Sequence, residues 1–397
     1  MSFYNLGIAP KLIEMMERLK FKIATPIQHK AIPLALEGKD IIGIAQTGTG
    51  KTMAFAIPMI QQLAQNKNHA LVLVPTRELA LQVEESIRKI ATPFNIRTVS
   101  LIGGEPIQNQ LRSLQKSPRV LIATPGRLLD LMEQKKVRLN DVNILVLDEA
   151  DRMLDMGFAP QIDEILRSVP KDRQTMLFSA TMPAEIMRMA TSHMKIPIQV
   201  EMAPTGTTAE RVTHELFIVQ QEMKRELLGK ILVKFRGSVL LFCRTKMGAK
   251  RITSALRHLG HSAAEIHSDR SLAQRRQALE GFKSGKHRVL VATDIASRGI
   301  DVKGIELVVN YDLPDQAENY VHRIGRTGRA GSPGHAISFA RPDQRGDVSS
   351  IEQLIKTTLP ISQHPDLPVM DFNKPQNVFS FNRYRPQRGG RSRRGRR

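Results

Sequence analysis

The sequence predicts an α/β chain of two tandem domains, each a parallel sheet covered by helices, followed by a disordered basic C-terminal tail. Three features predict it. Short apolar, β-rich runs alternate with helical patterns through most of the 397 residues. The alternation pauses at Met202–Thr208, a stretch of linker composition, and then resumes. A glycine-rich loop follows the first run and does not recur in the second half.

In chain order, strands are expected at Asp40–Ala45, Ala70–Val74, Thr98–Ile102, Val120–Ala123, Ile144–Leu147 and Thr175–Phe178. Helical patterns such as Met53–Gln65, Glu78–Ile90 and Glu185–His193 separate them. After the pause come Glu215–Val219, Val239–Cys243, Ala263–His267, Val289–Ala292, Glu306–Tyr311 and Ala336–Phe339. Strands that are apolar almost throughout, rather than alternating, belong to sheets buried on both faces, which means parallel strands with helices on either side. Two such domains joined by a hinge suit a switch or motor that closes on a ligand.

The loop Ala45-Gln46-Thr47-Gly48-Thr49-Gly50-Lys51-Thr52 lies between the apolar run containing Ile41, Ile42 and Ile44 and a helical pattern. That context is what a phosphate cradle requires. Gly48 and Gly50 let backbone N–H groups turn inward, Lys51 reaches the β and γ phosphates, and the Thr52 hydroxyl ligates Mg²⁺. Ala45 stands where the first glycine of this pattern usually falls. The chain is therefore expected to bind a nucleoside triphosphate. Downstream, Asp148-Glu149-Ala150-Asp151 closes the apolar run Ile144–Leu147, at the sheet edge where parallel-sheet proteins bind ligands. Acidic residues at such a place often only cap a helix. Beside a phosphate loop they can divide the chemistry, Asp148 toward Mg²⁺ and Glu149 toward the attacking water.

Charge narrows the partner. The net charge is +21 with a pI near 10.3, which attracts a polyanion or an acidic membrane surface. No apolar run has the length of a membrane span, the first residues lack a signal pattern, and the one cysteine, Cys243, sits in an apolar run as a core thiol. A cytoplasmic protein that binds nucleic acid is the expectation. Eight arginines and no acid fall between Arg383 and Arg397. A tail of that composition cannot bury enough apolar surface to fold. It serves either as a solubiliser or, the reading we favour, as an electrostatic tether to nucleic acid.

Asp-Glu-Ala-Asp identifies the chain as resembling the DEAD-box ATP-dependent RNA helicases of superfamily 2, and further motifs follow in family order. Phe21–Gln28, with Phe3 upstream, resembles the Q motif. Pro75-Thr76-Arg77-Glu78-Leu79, Gly103-Gly104 and Thr124-Pro125-Gly126-Arg127 resemble the RNA-contacting motifs, and Ser179-Ala180-Thr181 the coupling motif. In the second half, Ala292–Asp301 and His322–Arg329 resemble the two main second-domain motifs. The similarity runs from Phe3 to about Lys356. Ile266-His267-Ser268 and the wording at 305–310 look most like the bacterial RhlE subgroup. Lys20, Ala24 and Leu272 depart from the usual family residues, and Leu272, ahead of Arg275, puts one RNA contact in doubt.

The resemblance implies two RecA-like domains: a Q-motif region at 1–29, an ATP-binding domain at 30–202, a linker at 203–212, a C-terminal helicase domain at 213–370, and an Arg/Gly-rich tail at 371–397. It implies that Phe21 stacks on adenine and Gln28 reads its edge, and that Asp301 contacts ribose or holds an arginine. Arg326 and Arg329 would reach the γ-phosphate from the second domain, alongside Lys51, Asp148 and Glu149. Asp151, Ser179, Thr181 and His322 would couple the halves. Thr76, Arg77, Gly104, Thr124, Arg127, Arg244 and Thr293 would hold the RNA backbone without sequence choice. The cofactors implied are ATP and Mg²⁺. The partners implied are RNA, as a single strand or short duplex, and ribosome-assembly or RNA-decay proteins.

Overall fold

The computed structural model describes residues 2–46, 48–202, 212–294, 302, 304–328 and 334–372. The expected tail from 373 onward and the expected linker up to 211 lie outside these residues. Two parallel sheets are present among them, one in each half.

The first sheet has seven strands in the order β3-β4-β2-β5-β6-β1-β7. They are β1 Ile41–Ile44, β2 His69–Leu73, β3 Thr98–Leu101, β4 Val120–Ala123, β5 Val142–Asp148, β6 Gln174–Ser179 and β7 Ile198–Glu201. The second sheet has six, β10-β11-β9-β12-β13-β8. These are β8 Val212–Ile218, β9 Val239–Phe242, β10 Ala263–Ile266, β11 Val289–Ala292, β12 Leu307–Asn310 and β13 Gly334–Ala340. Every strand pair is parallel. β2, β4, β9, β11 and β12 are buried almost end to end, as their uninterrupted apolar sequences require.

All twelve expected strands are present within a few residues. The thirteenth, β7, was not anticipated. It is a short outer strand with three of its four residues exposed, so burial leaves no apolar pattern in its sequence. Its hydrogen bonds to β1 hold it instead.

The helices that bear on the site are α1 Pro10–Arg18, α2 Pro26–Leu36, α3 Lys51–Gln65, α4 Arg77–Ala91, α5 Ile107–Leu114, α6 Pro125–Glu133, α7 Ala150–Asp155, α8 Ala159–Ser168 and α9 Ala184–His193 in the first half. In the second half they are α10 Lys224–Lys234, α11 Lys246–His258, α12 Leu272–Lys283, α13 Ala317–Ile324 and α14 Arg345–Ile355. The first domain keeps two apolar cores, one on each face of its sheet. Leu272, from the second domain, is buried within the first of them. The apolar residue in place of the family's usual polar one thus packs between the domains. Cys243 is fully buried, and burial pushes its thiol up to about 12. Met153 and Met189 are buried, whereas Met187 is exposed on the outer face of α9.

Candidate active site

β1 ends beside β6, and Ala45 continues the pairing with its N–H donated to the Ser179 carbonyl at 3.0 Å. The chain then turns through Gly48 and Gly50, both left-handed (φ +83° and +91°), and enters the 15-residue α3 at Lys51. A Cβ on Gly50 would lie 2.4 Å from Gln28 Nε2, so both conformation and space demand glycine there. Thr49 Oγ1 donates to the Gln46 carbonyl at 2.7 Å, and Lys51 Nζ donates across the loop to the Ala45 carbonyl at 2.7 Å. Thr52, half-buried, follows on the first turn of α3. Thr47 lies outside the described residues.

Gln28, buried on α2, accepts from Thr25 N at 3.0 Å and donates Nε2 to the Gly50 carbonyl at 3.0 Å. It therefore ties the Q motif to the phosphate loop, leaving one N–H and one lone pair of the amide for a base. Phe21, between α1 and α2, is exposed.

Asp148 ends β5 and is almost fully buried. Burial pushes its carboxyl up to about 7, with Glu149 adding to the rise and Lys51 opposing it. Glu149 itself has a left-handed backbone (φ +54°), unusual for a residue with a side chain, and is pinned by Arg152, whose Nη1 donates to Glu149 Oε2 at 2.7 Å. Arg152 is 1% exposed and was missed from sequence; the available signal was its place three residues after Glu149 on one helical face. Asp151 receives three hydrogen bonds on Oδ2, from Ala180 N (3.0 Å), Thr181 N (2.9 Å) and Thr181 Oγ1 (3.1 Å). Its own N–H donates to Ser179 Oγ at 3.3 Å. The acidic loop and the Ser-Ala-Thr loop are thus one hydrogen-bonded unit.

The second domain completes the site. His322, near the end of α13, stands within electrostatic reach of Asp151, Arg152, Lys51 and Arg326. Burial first, then the cations Arg152, Arg326 and Lys51, push it down to about 3 against the pull of Asp151, so it is neutral at physiological pH. Arg326 follows α13 and is 5% exposed. The adjoining Arg323 is structural: it forks onto Asp294 with two 2.6 Å contacts and donates to Asn310 and to the Asp312 carbonyl. Arg329 and Asp301 lie outside the described residues.

These residues fit a nucleoside triphosphate with a divalent cation. Two left-handed glycines open a long helix, an ammonium spans the loop, and Asp148 carries a desolvation penalty that a cation would offset.

A hollow of about 470 Å³ opens between the domains at the ends of β2 and β4. Thr76, Arg77, Thr124 and Arg127 line it from the first domain, Ser268 and Arg275 from the second. Thr76 also caps α4 by accepting from Leu79 N at 3.3 Å. Gly104 (φ +78°) lies under the Arg77 guanidinium, where a Cβ would come within 2.1 Å of Nη1. The other two expected RNA contacts are not in this hollow. Thr293 directly follows β11, with its N–H donated to the Ile266 carbonyl at 3.3 Å, and Arg244 lines a separate cavity, paired with Asp315 at 3.2 Å. At the hollow's edge, Arg275 Nη2 lies 2.8 Å from Glu78 Oε2, a buried ion pair between the domains.

A phosphate loop, an acid pair and a second domain's histidine beside them make this a two-domain nucleoside triphosphatase with one phosphate loop. The DEAD/DEAH box helicase family matches residues 25–189, and the helicase conserved C-terminal domain matches 223–331. The ATP-dependent RNA helicase CshA of Listeria monocytogenes is 44% identical over 366 residues, covering 91% of this chain and 70% of that protein. Saccharomyces cerevisiae Dbp5 bound to RNA and ADP BeF3 superposes with a TM-score of 0.80 at 32% identity, covering 90% of this chain and 95% of Dbp5. A DEAD box protein from Methanococcus jannaschii is nearer in sequence at 37% identity but has a TM-score of 0.54, with 91% of this chain and 99% of that one covered. The chain belongs to the DEAD/DEAH box helicase family.

Proposed function

We propose that the protein is an ATP-dependent RNA helicase in which RNA-stimulated ATP hydrolysis is tied to domain closure, with local opening of short duplexes or remodelling of RNA–protein complexes. One observation carries this: the second domain's His322, with Arg326 beside it, stands against Asp151 and Arg152 of the first, and Asp151 is at the same time bonded to the Ser-Ala-Thr loop. A catalytic group delivered from another domain is present only when the domains are closed, and such an arginine is worth roughly 10³–10⁵ in rate.

Bound Mg²⁺ would neutralise phosphate charge, with Thr52 and Asp148 as the residues to hold it. Lys51 offers its ammonium to the phosphates. Glu149, fixed by Arg152, accepts a proton from the attacking water and orients it. Arg326, joined by Arg329, meets the charge that develops on the transferring group. Phe21 and Gln28 select adenine, and Asp301 serves the ribose. Thr76, Arg77, Gly104, Thr124 and Arg127 hold RNA along the hollow, with Arg244 and Thr293 extending the track over the second domain. Contacts of this kind go to phosphate and sugar, which gives binding without sequence choice and lets the 2′-hydroxyl mark RNA.

The wording at 266–268 and 305–310 supports the RhlE subgroup within the family. The charge of +21 supports a polyanionic partner, and the reading extends to a cytoplasmic protein working with ribosome-assembly or RNA-decay partners. Steady-state ATPase with no nucleic acid, single-stranded RNA or the matching DNA tests the reading. Stimulation by RNA far above DNA is expected, and Glu149→Gln should bind ATP yet lose turnover by at least about 10²-fold. Turnover indifferent to RNA, or unchanged in Glu149→Gln, would overturn it.

A further inference from the structure

The two sheets share one topology. Without β7 the first reads β3-β4-β2-β5-β6-β1, and the second β10-β11-β9-β12-β13-β8. β8 therefore takes the place of β1, and β12 the place of β5. The loop after β8 leads into α10, whose first residue is Lys224, just as the phosphate loop leads into α3 and Lys51. Asp312 follows β12 as Asp148 ends β5.

At this position in the second domain lies a cavity of about 420 Å³. Lys224, 1% exposed, forms its floor, donating Nζ to the Tyr311 carbonyl at 2.8 Å and to Asp312 Oδ1 at 3.0 Å. Arg225, Arg244, Arg251 and Arg341 line the walls. Asp312 and Glu222 are the only acids among the lining residues, so the cavity carries three net positive charges. Arg244 is paired with Asp315 at 3.2 Å and Arg341 with Asp343 at 3.0 Å, so the uncompensated charge is that of Arg225 and Arg251. Arg225 and Arg251 have no ion-pair partner among the described residues, and the buried Nε of Arg341 has no hydrogen-bond partner. Arg341 and Arg244 join burial in pressing the Lys224 ammonium below the usual lysine range, against Asp312.

The loop here, 219–223, has no glycine and cannot wrap a phosphate in backbone N–H groups as Gly48 and Gly50 allow. Recognition falls instead to side-chain cations, and no acid pair like Asp148-Glu149 is at hand for hydrolysis. We propose that this cavity is a second, non-hydrolytic site for a phosphate-bearing anion, on the second domain and separate from the ATP cleft. Its volume lies within the roughly 300–1,000 Å³ typical of small-molecule sites, which favours a compact polyphosphate over a single RNA phosphate passing its mouth. Guanidinium groups, planar and always charged, are the side chains best suited to such a ligand.

The test is equilibrium dialysis of the full chain with radiolabelled tripolyphosphate, in EDTA and with ADP in saturating excess to fill the first-domain loop. One equivalent of tripolyphosphate should still bind. Arg225→Ala/Arg251→Ala should weaken it at least tenfold, while ADP affinity and the unfolding temperature stay unchanged, because both side chains are exposed. No binding once ADP saturates, or binding unmoved in the double variant, would overturn the site. Saturating single-stranded RNA separates the two sources of phosphate: retention of tripolyphosphate supports the small ligand, and displacement assigns the cavity to the RNA backbone and refutes it. Failure of the ATP reading would show separately, as absence of ADP binding.

Discussion

The ion pair between Glu78 on α4 and Arg275 on α12 is the interaction most open to a quantitative test. The contact is 2.8 Å with both side chains about nine-tenths buried, and it spans the domains. Burial raises the Glu78 carboxyl above its usual range, with Arg275 the first of the groups opposing the rise. Neither Glu78 oxygen has a well-formed hydrogen bond, so Arg275 is its main compensation. Removing one partner of a buried pair costs about 3–5 kcal/mol, whereas replacing both by neutral groups is often close to neutral. Opening the domains returns Glu78 to water, so the penalty falls on closure rather than on the fold of either domain. Arg275→Met should therefore shift the closure equilibrium by roughly 10²–10⁴-fold, read by single-molecule FRET between dyes on the two domains with RNA and a non-hydrolysable nucleotide. Glu78→Gln leaves the buried Arg275 guanidinium without its counter-charge and should also impair closure strongly, whereas the double variant should recover much of the loss. The pH sign follows from the raised carboxyl. A group with a higher pKa in the closed state favours closure at low pH, and that contribution fades as pH rises through the closed-state value; Glu78→Gln should flatten the dependence. Additive single effects in the cycle, or a pH profile unchanged in Glu78→Gln, would refute the coupling.

Three further outcomes follow. Arg326→Ala should lower the RNA-stimulated catalytic rate by roughly 10³-fold or more with little change in ATP affinity, since the contact is made chiefly in the transition state; equal loss in both would contradict the assignment. Lys20 has a left-handed backbone (φ +64°) just after α1, at a place where the family commonly has glycine. Relief of a strain of about 1–2 kcal/mol, less the backbone entropy that glycine loses, should leave Lys20→Gly about 0.5–1 kcal/mol more stable, visible as a small rise in the first thermal unfolding transition; a lower midpoint would count against it. Deleting the eight arginines of 383–397 should weaken RNA binding and flatten the slope of log affinity against log salt, because fewer counterions are released, and an identical slope would make the tail a solubiliser.

The strands and the phosphate loop were legible because their causes are local. A strand buried on both faces has to be apolar at nearly every position, as in Val120–Ala123 and Val239–Phe242, and a turn with left-handed residues has to use glycine, as at Gly48 and Gly50. The carboxylates of Asp148 and Glu149 were legible from their place at a strand end. β7 was not, since an exposed outer strand held by backbone hydrogen bonds imposes no side-chain pattern. The same limit applies to what depends on residues far apart in sequence. Nothing local to Glu78 or Arg275 says that they meet, nothing near Gln28 says that its amide is bonded to Gly50, and Leu272 reads as a surface departure until the first domain's core encloses it. Lys224 is an ordinary first-turn lysine in the sequence; only the stacking of β8, β12 and β13 around it buries its ammonium on Asp312 and leaves four arginines facing one cavity. Backbone conformation and two-sided burial leave their marks on neighbouring residues, and so the sequence alone determined the folds and the phosphate loop. Burial of charge and the meeting of domains are set by packing across long stretches of chain, and so only the tertiary structure decided them.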